Sequence, residues 1–248
     1  MLLKLSYSSG KVNDMGDKQD SRRKLLVDAL TLGLFTGINA AGLMVPAIAL
    51  SNLPGRLPSG QSIYSLKGRV FVDGKAADIK TTINPGSSLQ TGDNSEVIFV
   101  VGSDAFILRS RSNVRLGAQG TLVQGLRVLT GAILGVFGKR EASHEIVTST
   151  ATIGIRGTGI YIDAAPDKTY ACTCYGHTQI RANTDPAQVR DIVTTHHDKP
   201  VYILNSGSQD QLIVPAPVID HSDSELNLIE ALVGRKTPFA GAGYKYEY

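Results

Sequence analysis

From Ser62 to Asn205 the chain repeats one pattern: a short run rich in Val, Ile and Thr, then a turn signal, at intervals of about 8–12 residues. Arg69–Val72 stops at Asp73-Gly74, a dipeptide suited to a two-residue hairpin turn. Glu96–Val101 stops at Gly102-Ser103-Asp104, and Ala105–Arg109 follows at once, so the two read as a hairpin. Leu126–Val136 has period-2 patches interrupted by Gly131 and Gly135. Glu145–Thr150, Thr152–Arg156, Gly159–Asp163, Thr169–Cys174, Asp191–Thr195 and Val201–Asn205 continue the series. This spacing leaves no room for crossover helices, so it predicts a mostly β fold: an antiparallel sandwich or roll. A hydrophobic share of 42% over 248 residues is enough to fill its core.

One segment breaks the pattern. Ser222-Asp-Ser-Glu225 is a capping box, in which a serine hydroxyl and a glutamate satisfy each other's backbone N–H groups. Leu226, Ile229 and Val233 follow at helical spacing, Leu228 and Leu232 widen the stripe, and Gly234 stands where a terminating glycine belongs. This predicts one short helix over Asp223–Val233, packed on the β body.

The N-terminal region reads as an address. Ser21-Arg-Arg-Lys-Leu-Leu26 precedes an uncharged run, Ala29–Leu50, and Ala47-Ile-Ala49 offers small residues for cleavage. Paired arginines before a moderately apolar run, with Arg56 beyond it, resemble a twin-arginine export signal. The run is also long enough for a retained membrane helix. Met15 opens a segment that looks like a signal of its own, which makes it an alternative start. The expected organisation is a signal or anchor over 1–50, a Pro/Gly/Ser linker over 51–60, a β domain over 61–176, a helix-bearing extension over 177–238 and a flexible tail over 239–248. The protein is expected in the periplasm, free or anchored to the inner membrane.

Net charge is +3 and no basic stripe with interleaved aromatics appears, which argues against nucleic acid as a partner. Trp is absent and aromatics are 6%, so a stacking platform for sugars or bases is not expected. No nucleophile elbow, phosphate loop or paired-carboxylate signature is present, and the chain does not read as an enzyme.

The concentrated chemistry is the pair Cys172 and Cys174, the only two cysteines. In a strand they share a face, beside Tyr170. Three readings stay open. They are small core residues, a strained and easily reduced disulfide, or metal ligands. The metal reading draws on His177, three residues beyond Cys174, on His197 within His196-His197-Asp198, and on His221 just outside the helix cap. Two thiolates with one or two imidazoles suit zinc, copper or an iron centre, with Asp198 or Asp223 orienting a ring.

Several motifs together carry a family resemblance. Gly68-Arg-Val70, Pro85-Gly86, Leu89-Gln-Thr-Gly92-Asp93, Glu96–Val101, Leu126 to Gly131, Val147-Thr148 and Ile153-Gly-Ile-Arg-Gly-Thr158 resemble, in order, the FecR domain of periplasmic sensor proteins, over about Ile63–Tyr175. The glycines 154, 157 and 159 in that block predict a bulge or corner that aims Arg156, with pairing to a carboxylate as the plain structural role for that side chain. The resemblance implies a periplasmic β domain that meets an envelope protein or ligand. Sensor members carry a cytoplasmic anti-sigma segment before their membrane helix; about 20 residues precede the apolar run here, so the signalling role is not expected. Cys172-Thr-Cys174-Tyr-Gly176 followed by His221-Ser-Asp223-Ser-Glu225-Leu226 is similar to a pattern in short FecR-like proteins. The reading that results is a non-catalytic periplasmic binding or scaffold module, with a metal at the cysteine pair as one option. A redox or metal- and iron-handling accessory protein of the envelope, or a membrane-anchored regulator, are the alternatives. Contact with the inner membrane would run only through an uncleaved N-terminal segment.

Overall fold

The structure is a computed structural model, and it describes residues 53–119, 122–139, 144–207 and 211–241. The signal or anchor expected over 1–50 and the residues 242–248 lie outside the described residues. No helix among the described residues is long and apolar enough to cross a membrane.

Among the described residues fourteen strands form one hydrogen-bonded sheet. They are β1 (Ile63–Lys67), β2 (Val70–Val72), β3 (Lys75–Ala76), β4 (Ser88–Thr91), β5 (Glu96–Val101), β6 (Asp104–Leu108) and β7 (Asn113–Gln119), followed by β8 (Leu122–Val136), β9 (His144–Val147), β10 (Ala151–Ala164), β11 (Lys168–Ala182), β12 (Val189–Thr194), β13 (Val201–Leu204) and β14 (Ile213–Pro215). The main path runs β14-β13-β11-β10-β9-β8-β7-β4-β2-β3; a branch, β1-β5-β6, joins β8, and β12 pairs with β11. Pairing is antiparallel except between β8 and β9, which run parallel through Gly125 opposite Glu145.

Three long strands, β8, β10 and β11, hold the path and its branches in one sheet. Each serves two partners in succession along an edge: β8 pairs first with β7 and then with β6, and β10 pairs with β9 and then with β8. The switches fall at Gly131 (φ +83°) and at a register shift between Arg156 and Gly159, where Gly157 has φ +53°. Thr152–Arg156 and Gly159–Asp163, expected as separate strands, are therefore one bulged strand. Arg156 sits at that bulge as expected; it is exposed, and no ion pair among the described residues includes it.

Val70, Leu89 and Val114 from one half and Phe99, Phe106 and Leu108 from the other meet in a single interior core. The Asp73-Gly74 turn has both residues at positive φ (51° and 77°), the backbone that a two-residue hairpin of matching twist requires. Strand β7 was not expected, although its alternation of buried Val114 and Leu116 with exposed Arg115 is a period-2 signal.

The helix α1 spans Asp223–Leu232 with the expected capping box at Ser222 and Glu225, and Gly234 follows at φ +74°. Its Leu226, Ile229 and Leu232 build a second core on the outer face of the sheet, with Ile98, Ile107, Leu134, Tyr161 and Tyr170. Two expected boundaries differ. The division at 176/177 falls inside β11, because that strand continues into its pairing with β12. Phe239, expected to begin a loose tail, is buried beside Tyr175, since the chain after α1 turns back over the helix-side core.

Candidate functional site

The site forms where β11, the turn after β12 and the approach to α1 meet. Strand alternation points Tyr170, Cys172 and Cys174 at the helix-side core, and both cysteines are fully buried. Cys172 lies opposite Tyr161 of β10.

His197 arrives from the turn that follows β12. Thr194 Oγ1 accepts the N–H groups of His196 (3.1 Å) and Asp198 (3.2 Å), which tightens that turn. The His197 N–H donates to the Cys174 carbonyl at 2.9 Å, and His197 has φ +44°. A non-glycine residue in the left-handed region is strained, and such strain persists where surrounding contacts over-determine it. His221 arrives from the loop before α1. The Tyr170 hydroxyl donates to the Pro217 carbonyl (2.9 Å) and accepts from the Ile219 N–H (3.3 Å), which fixes that loop. The His221 ring stacks on Tyr161 at 4.7 Å between centroids, and its Nδ1 is 2.6 Å from the Ile219 carbonyl.

The donor atoms of Cys172, Cys174, His197 and His221 all lie within 4.8 Å of one another. His197 Nδ1 is 3.7 Å from Cys172 Sγ and 3.0 Å from His221 Nε2. On the far side of the same ring, His197 Nε2 is 2.9 Å from an Asp223 carboxylate oxygen. Asp223 also takes His196 Nε2 at 2.9 Å, and Phe239 packs its ring edge on His196 at 4.6 Å. Asp223 is the first residue of α1, where the helix N-terminus favours a carboxylate.

The electrostatics follow from this geometry. A hydrogen bond with Cys174, aided by His197 and His221, holds the Cys172 thiol well below its ordinary range against the effect of burial. Burial, then Cys172 itself, pushes Cys174 well up. Burial works against charge on His197, but the Asp223 hydrogen bond and Cys172 outweigh it and push that imidazole up to about 9. Burial likewise opposes the Asp223 carboxylate, which the hydrogen bonds of His197 and His196 hold below its usual value. Without a bound ion the cluster therefore favours one thiolate, one thiol and an imidazole with high proton affinity.

Of the five residues nominated from the sequence, the structure brings together Cys172, Cys174, His197 and His221. His177 lies elsewhere. It is on β11 beyond Gly176 (φ +94°), and its ring meets Asp191 at 3.3 Å on an exposed surface. Nearness in sequence nominated it, but the irregularity at Gly176 carries it along β11 to Asp191, away from the cluster. Asp198 bonds Thr194 instead of an imidazole, which leaves Asp223 as the orienting carboxylate. Tyr161 and Phe239 were not foreseen as walls of the site; neither carries a local signal that ties it to the histidines. An open groove on β7–β9, lined by Arg115, Gly117, Gly125, Arg127 and Glu145, shares no residue with the cluster.

No family model matches the chain, and no curated protein does. Two crystal structures, at 2.50 and 1.65 Å, of a protein from Parabacteroides distasonis provisionally described as an anti-sigma factor are similar to part of it. Their TM-scores are 0.42 and 0.43 at 12% and 11% identity, and each likeness covers 52% of this chain. The chain spans 58% of the length of those structures. A likeness of this size leaves the family open.

Proposed function

We propose that this chain is a non-catalytic binding or scaffold module of the cell envelope, built on a FecR-like β domain. The observation that carries the reading is the burial of its chemistry. The gathered thiols and imidazoles lie beneath α1, with both cysteines at 0% exposure and His197 and His221 at 5% and 4%. A substrate must reach the reacting group within hydrogen-bond distance, and here folded protein stands in that space. A sealed polar cluster serves the architecture: it joins β11, the turn after β12 and α1, and leaves recognition of a protein or ligand to surfaces elsewhere on the domain. The Ile153–Thr158 block supports the FecR-like assignment by resemblance, and the Arg22-Arg23 segment supports export of the folded chain.

The test is localisation with the chain's own leader. Protein expressed with its complete N-terminal region is expected to be accessible to protease in spheroplasts. Replacing Arg22 and Arg23 together by lysine is expected to hold it inside. Full protease protection of the unaltered chain would overturn the envelope reading.

A further inference from the structure

We propose that Cys172, Cys174, His197 and His221 bind one zinc ion in a closed tetrahedral site that clasps α1 to the sheet.

The hydrogen bonds around the two imidazoles assign their protons. The Ile219 carbonyl only accepts, so the His221 Nδ1 that contacts it carries the hydrogen, and His221 Nε2 presents a lone pair. The Asp223 carboxylate only accepts, so His197 Nε2 carries a hydrogen, and His197 Nδ1 is the ring nitrogen turned to Cys172 and His221. His197 Nδ1 and His221 Nε2 face each other at 3.0 Å, with the Cys172 sulfur 3.7 Å from His197 Nδ1. A metal ion binding here takes the place of the protons shared among these donor atoms. Backbone carbonyl and carboxylate also provide the outer partners that fix the tautomers of metal-ligating histidines.

The spacing fits one metal of a particular size. Zn–S bonds of about 2.3 Å and Zn–N bonds of about 2.05 Å give tetrahedral edges of about 3.4 Å between nitrogens and about 3.6 Å between nitrogen and sulfur. The corresponding separations are 3.0 and 3.7 Å, and all four donors fall within 4.8 Å of one another.

Charge selects the class of ion. Two thiolates and a divalent cation sum to zero, whereas a monovalent ion would leave a net negative charge buried, at high cost. Asp223 stays outside this sum, held by two imidazole N–H groups. Binding releases the thiol protons to solvent. Two sulfurs and two nitrogens in a tetrahedron suit zinc, and four protein donors leave no position for water, the pattern of a structural site. The ligands come from three separated segments, so the ion closes long loops and adds its binding energy to folding.

The experiment is metal analysis of the full chain, followed by chelation and reconstitution. One zinc per chain is expected after purification. Chelated protein should recover on adding zinc, with Tm rising by roughly 8 to 16 °C at a thousandfold excess over Kd. Cobalt in place of zinc should show thiolate-to-metal charge transfer and the intense visible bands of a tetrahedral ion. Cys172→Ser and His221→Gln should each abolish stoichiometric binding, and Asp223→Asn should weaken it by roughly 10- to 100-fold. His177→Gln should change nothing. Reconstitution of the wild-type chain keeps the test decisive if a variant fails to fold: no metal and no zinc-dependent rise in Tm would overturn the proposal, as would dependence on His177 in place of His197. A zinc-loaded chain that stays in the cytoplasm would overturn the envelope reading and leave this one standing.

Discussion

Gly159→Ala probes how the glycine-punctuated block is coupled to the helix-side core. A methyl group at 159 would lie 2.7 Å from Cζ and 2.9 Å from Cδ1 of Tyr175, and closer still to Cε1. Gly159 and Tyr175 are direct partners across β10 and β11, so the ring lies flat over the glycine. Two routes relieve the clash. If the strands separate, overpacking costs about 1–3 kcal/mol. If the ring swings out, Tyr175 gives up its hydroxyl hydrogen bond to the buried Glu230 carboxylate and its edge contact with Phe239. A hydrogen bond to a charged group is worth about 1.5–3 kcal/mol. The chain takes the cheaper route, so the expected loss is about 1–3 kcal/mol, or roughly 2–12 °C in Tm for a unit of this size. Urea denaturation of four chains (wild type, Gly159→Ala, Tyr175→Ala and the double variant) measures it directly. In the Tyr175→Ala background the added methyl should cost under about 0.5 kcal/mol, giving a coupling near 2 kcal/mol. An equal cost for Gly159→Ala with and without the ring would refute the steric account.

The acidic and basic limbs of stability should carry the signature of Asp223 and His197 in metal-free protein. Asp223 is held below its usual value, so its contribution is present above about pH 4 and is lost as the pH falls through the folded value. His197 is pushed up from 6.5 to about 9, so its contribution is complete below 6.5 and is lost as the pH rises through 9. In chelator, the stability difference between wild type and Asp223→Asn should therefore peak between about pH 4 and 6.5 and shrink on both sides; a difference that grows steadily to pH 9 in thermal melts would contradict the pairing. Glu225 has two jobs, capping Ser222 N–H at 2.9 Å and pairing with Arg109 at 2.6 Å, while Arg109 keeps Glu96 at 2.8 Å. Glu225→Gln, which can still cap, should cost about 1–2 kcal/mol and Glu225→Ala about 2–3 kcal/mol in urea titrations; an Ala variant as stable as wild type would show that the cap and pair are dispensable.

The elements read correctly from the sequence share a short range. Asp73-Gly74 predicts its turn because two adjacent residues must both adopt positive φ. The capping box places the start of α1 because donor and acceptor are three residues apart. Cys172 and Cys174 share a face because successive strand residues alternate. The two expected strands around Gly157 merge into β10 because pairing with β11 continues past the bulge, and no local pattern records the partner strand. The parallel β8–β9 pair is equally silent: it depends on where the chain returns after Val136, and on Gly125 leaving room for the Glu145 backbone.

The site divides along the same line. Alternation, turn chemistry and capping, each an interaction within a few residues, were enough to set the β-rich fold, the helix and the common face of the two thiols. The choice among histidines lay beyond them. His177 is near Cys174 along the chain but points away, whereas His197 and His221 are 23 and 47 residues further on and lie within reach of both sulfurs. Their arrival depends on β12 pairing with β11, on a left-handed turn at His197, and on α1 settling over the outer face of the sheet. Those events are fixed by burial and closure across the whole fold, and that is why tertiary structure alone decided which residues form the centre.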